Sequence, residues 1–259
     1  MSKLHSYGIR GVANLWFESY LSHCKQCVEI NTTDKGIHIS TIKETEHGVP
    51  QGSILGPILF SLYINNVPLN ITGTKIVLFA DDTNILATDE NVNNLRYKLN
   101  NAMADLQTWF TLNSLIVNTE KTLAMSFHTP KNKKSVTQVT FAGRDIPYNF
   151  ETKFLGIYIN ENMKWNNHIK YLSSKLNTSY YIISSLKNIT SLHVLRTMYF
   201  ACFHPHLRYA LTLWGGDPES KGIFRLQRKV IRIIGGIGWR ASCRNLFKTL
   251  NILPCSACI

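Results

Sequence analysis

The run Phe79-Ala80-Asp81-Asp82 constrains this chain more than any other feature, because it joins two strand-like segments. Apolar residues precede it from position 76, and a second strand-like run follows at 83–88. Two strands joined in this way predict a β-hairpin whose tip carries two carboxylates. Adjacent anions repel each other unless cations neutralise them, and Mg²⁺ prefers carboxylate oxygens and binds phosphates well. The run therefore points to phosphoryl-transfer chemistry, although a polar turn is the simpler explanation of these four residues taken alone.

Hydrophobic periodicity predicts several helices and short strands around this hairpin. Apolar residues recur every three or four positions at 12–21, 53–63 and 91–112, which is typical of amphipathic helices. A further helix is predicted to begin at Asp217-Pro218, an N-cap followed by proline, and to end at Gly235-Gly236. Strands are predicted at 27–30, 37–40, 115–117, 123–127 and 154–159.

The net positive charge of the chain comes entirely from its last part. Residues 1–161 hold equal numbers of basic and acidic side chains, 14 of each. Residues 162–259 hold 14 Lys and Arg against only Asp217 and Glu219, a net charge of +12. A neutral segment followed by a strongly basic one predicts that the second part meets a polyanion, and nucleic acid is the partner that fits best. No lipidation motif supports an anionic membrane surface instead.

Three further blocks stand in a fixed order around the hairpin. They are Gly48-Val49-Pro50-Gln51-Gly52-Ser53-Ile54-Leu55-Gly56-Pro57, Asn118-Thr119-Glu120-Lys121-Thr122 and Phe154-Leu155-Gly156-Ile157. Together with Asp81-Asp82, these blocks resemble the reverse transcriptases of non-LTR retrotransposons, the jockey-like LINE elements in particular. The resemblance extends from about Leu4 to Pro254, and four blocks in register are far more specific than a lone Asp-Asp pair.

The resemblance implies an α+β fold with two parts. Residues 1–162 would form a polymerase palm with partial fingers, in which an antiparallel sheet packs on helices. Residues 163–259 would form a basic, mainly helical thumb or connection region. The implied activity is that of an RNA-directed DNA polymerase, a nucleotidyltransferase that adds deoxynucleotides to the 3′-hydroxyl of a primer. Its partners would be an RNA template, a DNA primer and deoxynucleoside triphosphates.

The resemblance also implies a role for particular residues. Asp81 would be the primary and Asp82 the secondary carboxylate ligand of two Mg²⁺ ions, and Lys121 would donate a proton to the leaving pyrophosphate. Pro50, Gln51 and Gly52 would border the nucleotide and template, although a plain loop-to-helix turn also suits them. Leu155 and Gly156 would form the primer grip. The expected contacts to the nucleic-acid backbone are the basic residues of the last long helix: Arg225, Arg228, Lys229 and Arg232.

A third palm Asp, which the resemblance places ahead of Leu4, does not occur in this sequence. The first Asp of the sequence is Asp34, which follows the segment around Leu4 instead of preceding it. We therefore expect a chain truncated at its N-terminus and inactive by itself, because two carboxylates hold the metals poorly without the third. Two other readings stay open: a non-enzymatic RNA- or DNA-binding remnant that uses the basic region, and a fragment that folds poorly.

The remaining sequence signals are weaker. No apolar run resembles a signal peptide or a membrane span, so we expect a protein of the cytoplasm or nucleus that is not secreted. Two C-x-x-C motifs, one at Cys24 and Cys27 and one at Cys255 and Cys258, are compatible with a zinc site of four thiolates. Free thiols are the preferred interpretation. His204-Pro205-His206 is interpreted as structural histidines beside a helix-kinking proline rather than as metal ligands.

Overall fold

The chain divides into two compact units of α+β character. The computed structural model describes residues 1–32, 36–45, 48–50, 52–128 and 138–255. Among these, the first unit comprises residues 1–122 and 138–146, and the second comprises residues 123–128 and 147–255. All the sheets within the described ranges are two-stranded and antiparallel. The α+β class is confirmed, and the boundary near residue 162 stays a prediction.

The first unit contains four α-helices and four small sheets. Its helices are α1 (Ser2–Ser6), α2 (Val12–Leu21), α3 (Leu55–Ile64) and α4 (Val92–Leu112), with a 3₁₀ turn at Val67–Asn70. Its strands are β1 (Lys25–Gln26), β2 (Glu29–Thr32), β3 (Gly36–Ile39), β4 (Lys43–Glu44), β5 (Lys75–Phe79), β6 (Asp82–Leu86), β7 (Thr140–Phe141) and β8 (Arg144–Asp145). The strands pair as β1 with β4, β2 with β3, β5 with β6, and β7 with β8.

A small core holds the β5–β6 hairpin against α3 and α4. Alternate side chains of β5 point inward, as the period of a strand requires, so that Ile76 and Leu78 pack with Ile85 of β6 against the buried core. The buried residues of that core are Ile64, Val67, Ile71, Ala102, Leu106 and Trp109. Helix α4 begins where its periodicity predicts, because the Asn91 side chain accepts the Asn93 N–H at 2.8 Å and caps the helix.

The second unit is mainly helical. It begins with the hairpin of β9 (Glu151–Phe154) and β10 (Ile157–Asn160). Six helices follow: α5 (Asn166–Leu186), α6 (Leu192–Met198), α7 (His204–Arg208), α8 (Leu211–Trp214), α9 (Ser220–Ile234) and α10 (Arg244–Thr249). A π-helical turn at Tyr199–Phe203 ends two residues before Pro205, whose missing N–H interrupts the regular helical ladder. This confirms the interpretation of Pro205 as a helix-disturbing residue.

The core of the second unit is large and contains the buried, hydrogen-bonded side chain of Gln227. The fully buried Gln227 of α9 donates to the Tyr199 hydroxyl at 2.9 Å and to the Leu253 carbonyl at 3.0 Å. Its amide oxygen accepts the Cys255 N–H at 2.8 Å. Because a buried amide without partners is costly, the bonds to Leu253 and Cys255 hold the segment around residue 254 against α9, and the bond to Tyr199 ties α9 to the π-helical turn.

Three predicted elements differ from the structure. The strand expected at 154–159 is two strands joined by a turn, since Leu155 and Gly156 both have positive φ. Residues 115–117 form no strand, and the Ile116 side chain is fully exposed. At 123–127 there is only an isolated bridge between Ala124 and Tyr148.

The last long helix begins later than the sequence predicts. It starts at Ser220 rather than at Asp217-Pro218. The Asp217 carboxylate accepts the Glu219 N–H at 2.9 Å, so that it stabilises a turn ahead of the helix instead of capping the helix itself. The predicted end is confirmed, because α9 stops at Gly235 and Gly236 has φ of 66°.

Within the described ranges, no helix is both long and apolar enough to cross a membrane. The described cysteines, Cys24, Cys27, Cys202, Cys243 and Cys255, are free thiols. No group of three or more His, Cys, Asp and Glu side chains suited to a metal ion occurs among the residues whose placement is described.

Candidate active site

The predicted carboxylates lie at the tip of the β5–β6 hairpin. Phe79 pairs with Asp82, so the two loop residues are Ala80 and Asp81, and Asp82 is the first residue of β6. Ala80 has a φ of 49°, and a positive φ at the first loop position is typical of tight hairpin turns. Both carboxylates are exposed, and neither makes a hydrogen bond or ion pair with another side chain in the described part of the chain.

This donor set fits part of a magnesium shell. Mg²⁺ is commonly held by one or two carboxylates, with waters and substrate phosphates completing its octahedron. Asp81 and Asp82 supply two such carboxylates on adjacent residues at an open tip. Asp81 lies in the turn and Asp82 in the strand, so the two side chains are not equivalent, and the assignment of a primary and a secondary ligand stays a prediction.

The loop that precedes α3 is fastened to the first turn of that helix. The Pro50 carbonyl accepts the Ser53 N–H at 3.2 Å, and the Ser53 hydroxyl accepts the Gly56 N–H at 3.0 Å. Gly52 is exposed with a φ of 85°, and open space surrounds the place of its missing Cβ. Gln51 lies outside the described residues.

Gly56 lets this loop and α3 approach each other closely. A Cβ at this position would lie 2.9 Å from the Ser53 hydroxyl oxygen and 3.3 Å from a methyl group of Val49. It would also lie 3.4 Å from the Pro50 carbonyl oxygen. Ser53 and Gly56 therefore set the conformation of the loop, a supporting role that the sequence pattern did not assign to either of them.

Lys121 lies in an exposed loop of the same unit. The Asn118 side chain accepts the N–H groups of Glu120 and Lys121 at 3.1 and 3.2 Å, and the Asn118 carbonyl accepts the Thr122 hydroxyl at 2.9 Å. Asn118 thus fixes the backbone of the turn, as asparagine commonly does, while the Lys121 ammonium reaches solvent. The first unit therefore holds Pro50, Gly52, Asp81, Asp82 and Lys121.

The expected primer grip is the tight turn between β9 and β10 in the second unit. Leu155 and Gly156 have φ values of 45° and 85°, the pair of positive angles that a type I′ hairpin turn needs. The Tyr209 hydroxyl donates to the Leu155 carbonyl, and its ring lies 3.5 Å from where a Cβ on Gly156 would be. Tyr209 is itself anchored, because its own carbonyl accepts the indole N–H of the buried Trp214 at 3.0 Å.

The four residues of α9 that are predicted to contact nucleic acid fall into two pairs. Arg225 and Lys229 are exposed. The Arg228 guanidinium lies 4.8 Å from the centre of the Phe224 ring, and the Arg232 Nε donates to the Ala241 carbonyl at 2.9 Å. Arg228 and Arg232 are thus partly engaged within the molecule, whereas Arg225 and Lys229 face solvent freely.

Comparison with known proteins shows the family to which the chain belongs. The family model for reverse transcriptase (RNA-dependent DNA polymerase) matches residues 1–176, which include the β5–β6 hairpin and the turn at Leu155-Gly156. The chain belongs to the reverse transcriptase family.

Its similar relatives are insect retrotransposon proteins. The chain is 28% identical over 225 residues to the RNA-directed DNA polymerase from mobile element jockey of Drosophila melanogaster, which covers 82% of this chain and 24% of that protein. It is 24% identical over 224 residues to the probable RNA-directed DNA polymerase from transposon X-element of Drosophila melanogaster, covering 83% of this chain and 24% of that protein. The chain thus spans about a quarter of the length of these relatives. No solved structure gives a significant match.

Proposed function

We propose that this chain is the part of an RNA-directed DNA polymerase that carries the metal-binding hairpin of the palm, followed by the thumb. The observation that carries the proposal is the position of Asp81 and Asp82. They stand together on an exposed hairpin tip inside the segment that matches the reverse transcriptase family. In this assignment residues 1–162 are palm with partial fingers, and residues 163–259 are thumb.

The reaction is the addition of a deoxynucleotide to a primer along an RNA template. Mg²⁺ ions, when bound, lower the pKa of the primer 3′-hydroxyl and neutralise charge on the triphosphate. The carboxylates of Asp81 and Asp82 would hold these ions at the hairpin tip. The primer 3′-hydroxyl loses its proton to water, a bond forms between the 3′-oxygen and the α-phosphorus, and the bond from the α-phosphorus to the oxygen of pyrophosphate breaks. Lys121 gives a proton to the leaving oxygen.

The other predicted residues position the substrates. The loop at 48–53 borders the incoming nucleotide and the template, where the glycine at 52 leaves room for close approach. The Leu155-Gly156 turn supports the primer end, and exposed cations of the second unit contact phosphates.

Catalysis in this scheme needs a third carboxylate beside Asp81 and Asp82. Two carboxylates fill only part of the coordination that two metal ions require. We therefore expect the chain alone, with Mg²⁺, primer and RNA template, to extend the primer by no measurable amount. Template-dependent extension by the chain alone that disappears in Asp81→Asn would show that another group supplies the third ligand.

The polymerase assignment is tested in an extended polypeptide that carries, ahead of Leu4, the palm segment with the third Asp. Primers annealed to RNA templates that differ in the next base are offered one deoxynucleotide at a time. We expect incorporation of the complementary deoxynucleotide only. Absence of incorporation, or incorporation that ignores the template base, would contradict the assignment.

A second candidate function is nucleic-acid binding without catalysis. It is favoured by the net charge of +12 over residues 162–259, which needs no metal site to attract phosphates. It predicts template–primer binding that is unchanged in Asp81→Asn, together with no incorporation by the extended polypeptide.

A further inference from the structure

A groove of about 900 Å³ lies between helices α5 and α9 of the second unit. Helix α5 contributes Lys170, Ser173 and Ser174, and helix α9 contributes Lys221, Gly222 and Arg225. Lys170, Ser173 and Ser174 lie three and four positions apart on α5, and Lys221 and Arg225 lie four positions apart on α9, so that each set shares one face of its helix. Each helix therefore presents a continuous polar edge to the groove.

The charges in the groove have little to neutralise them. Lys170, Lys221 and Arg225 are exposed, and none of them makes an ion pair with another residue in the described part of the chain. Glu219 is the one acidic residue among the lining residues, and its carboxylate accepts the Asn166 amide at 2.9 Å. Three cations and one acid line the same open groove, so the groove carries a net positive charge that would attract an anion.

Gly222 adds a second, independent observation. It lies in the first turn of α9, where glycine is less favourable for a helix than alanine. Its φ is not in the left-handed region, and no atom lies within 4 Å of the place of its missing Cβ. Neither the backbone conformation nor the packing around Gly222 therefore requires glycine. The missing side chain leaves the groove open at this position.

The chemistry of the lining selects the ligand. The hydroxyls of Ser173 and Ser174 and the three cations are donors suited to phosphate oxygens. None of the residues that line the groove is aromatic, so the groove offers no surface on which bases stack. Such a lining suits a sugar–phosphate backbone and does not distinguish base sequence.

We propose that the α5–α9 groove binds the phosphodiester backbone of nucleic acid, with Lys170, Lys221 and Arg225 as its phosphate contacts. The proposal rests on the proposed function for the class of ligand. It assigns the contacts to a groove between two helices rather than to the whole basic face of α9, so that Arg228 and Arg232 serve the fold.

The test is binding of a fluorescently labelled RNA–DNA template–primer, followed by anisotropy across a salt series. Each phosphate contact contributes about 0.7 to 0.9 to the slope of log affinity against log salt. The triple variant Lys170→Gln, Lys221→Gln, Arg225→Gln should flatten this slope by about two to three units and weaken binding at least about tenfold at 0.1 M salt.

The matched control removes the same charge elsewhere. Lys187, Arg244 and Lys248 are exposed residues of the second unit that do not line the groove, and replacing all three by Gln should change the slope by less than one unit. An equal effect of the two triple variants would mean that diffuse positive charge binds the ligand, and it would overturn the groove assignment.

Two single variants test the charge and the shape of the groove. Glu219→Gln removes the opposing charge and should raise affinity about two- to tenfold at 0.1 M salt. Gly222→Gln places a side chain against the groove while favouring the helix, so it should weaken binding several-fold without lowering the melting temperature. Unchanged affinity in both variants would contradict the proposal.

The source of the phosphate is distinguished by competition. Unlabelled template–primer should displace the labelled duplex, whereas inorganic pyrophosphate at equal phosphate concentration should not, because only the polymer joins several contacts. Equal displacement by pyrophosphate would identify a site for free phosphates and overturn the backbone proposal. Failure of the unaltered chain to bind the duplex would also overturn it. Template-directed incorporation by the extended polypeptide is measured separately, so the polymerase assignment stands or falls independently.

Discussion

Tyr209 supports a turn that lies 54 positions earlier in the sequence. Its hydroxyl donates to the Leu155 carbonyl, and its ring packs beside Gly156. The sequence pattern singles out Leu155 and Gly156 by resemblance but predicts a strand across them, whereas the positive φ of Gly156, which glycine adopts at little cost, makes a turn. Sequence reasoning did not find Tyr209, because no local pattern connects a tyrosine that follows α7 with a hairpin so far away.

Tyr209→Phe removes one hydrogen bond and leaves the ring in place. We expect a loss of about 0.5 to 1.5 kcal/mol in the free energy of unfolding, at the low end because the residue is half exposed and water can replace the bond. Amide hydrogen exchange across residues 154–158 should become faster. Tyr181→Phe, at an exposed tyrosine of α5, serves as the control and should change neither quantity. Unaltered exchange at the turn in Tyr209→Phe would show that the hydroxyl does not hold it.

Arg232 is predicted to matter for stability more than its neighbour Lys229. Arg232→Gln removes the hydrogen bond to the Ala241 carbonyl and should cost about 1 kcal/mol. Lys229→Gln changes an exposed side chain and should stay within about 0.5 kcal/mol. Chemical denaturation of the two variants gives the comparison, and equal stability would remove Arg232 from the residues that hold the fold.

At the scale of elements, the sequence predicts the long periodic helices best. Helices α2 and α4 have the predicted bounds to within one residue, because apolar residues recur at helical spacing in both and the Asn91 cap marks the start of α4. The segment at 115–117 was misread, because a short run of apolar residues does not show whether a partner strand exists. The strand expected at 154–159 was misread because its central glycine turns the chain back on itself.

The loop ahead of α3 depends on the absence of a side chain at Gly56. Gly56→Ala forces a Cβ against Ser53 and Val49, and we expect a net destabilisation of about 1 kcal/mol after the gain in helix propensity is counted. Thermal unfolding measures the change. Gly216→Ala, which has open space and no positive φ, is the control and should stay within about 0.5 kcal/mol. A stabilised Gly56→Ala variant would show that the loop is not packed against the helix.

At the scale of the whole molecule, buried histidines make stability depend on pH. Burial lowers the pKa of His168, whose Nδ1 lies 3.5 Å from the Tyr158 N–H. Burial, and then the nearby Arg208 charge, lower the pKa of His204. In both cases the unfolded state takes up a proton at a higher pH than the folded state. The free energy of unfolding is therefore fully present above pH 6.5 and falls as the pH drops below it.

This pH dependence is measured by chemical denaturation at pH 7.5 and 5.5. We expect lower stability at pH 5.5, by at most about 1.4 kcal/mol per pH unit and histidine. His168→Gln should reduce the difference between the two pH values, and His193→Gln, at an exposed position, should not. A difference that is the same in both variants would contradict the assignment of the effect to His168.

The candidate site was predictable from sequence to the extent that it consists of local motifs. Asp81 and Asp82 lie on the expected hairpin, although the turn is formed by Ala80 and Asp81 rather than by the two acids. The groove between α5 and α9 was not predictable, because Lys170 and Lys221 meet only through tertiary packing. The charge count shows that residues 162–259 are basic. It does not show which surface of that part of the chain carries the cations.

The most direct measurement is primer extension by the extended polypeptide in Mg²⁺, with single Asp→Asn variants. Asp81→Asn keeps the size of the side chain and removes its charge, so it should lower template-directed incorporation by at least about 100-fold. Asp82→Asn should lower it less. Asp105→Asn, on the exposed face of α4, is the matched control and should leave the rate unchanged. Near-normal incorporation by Asp81→Asn would mean that the hairpin is only a polar turn and would contradict the account.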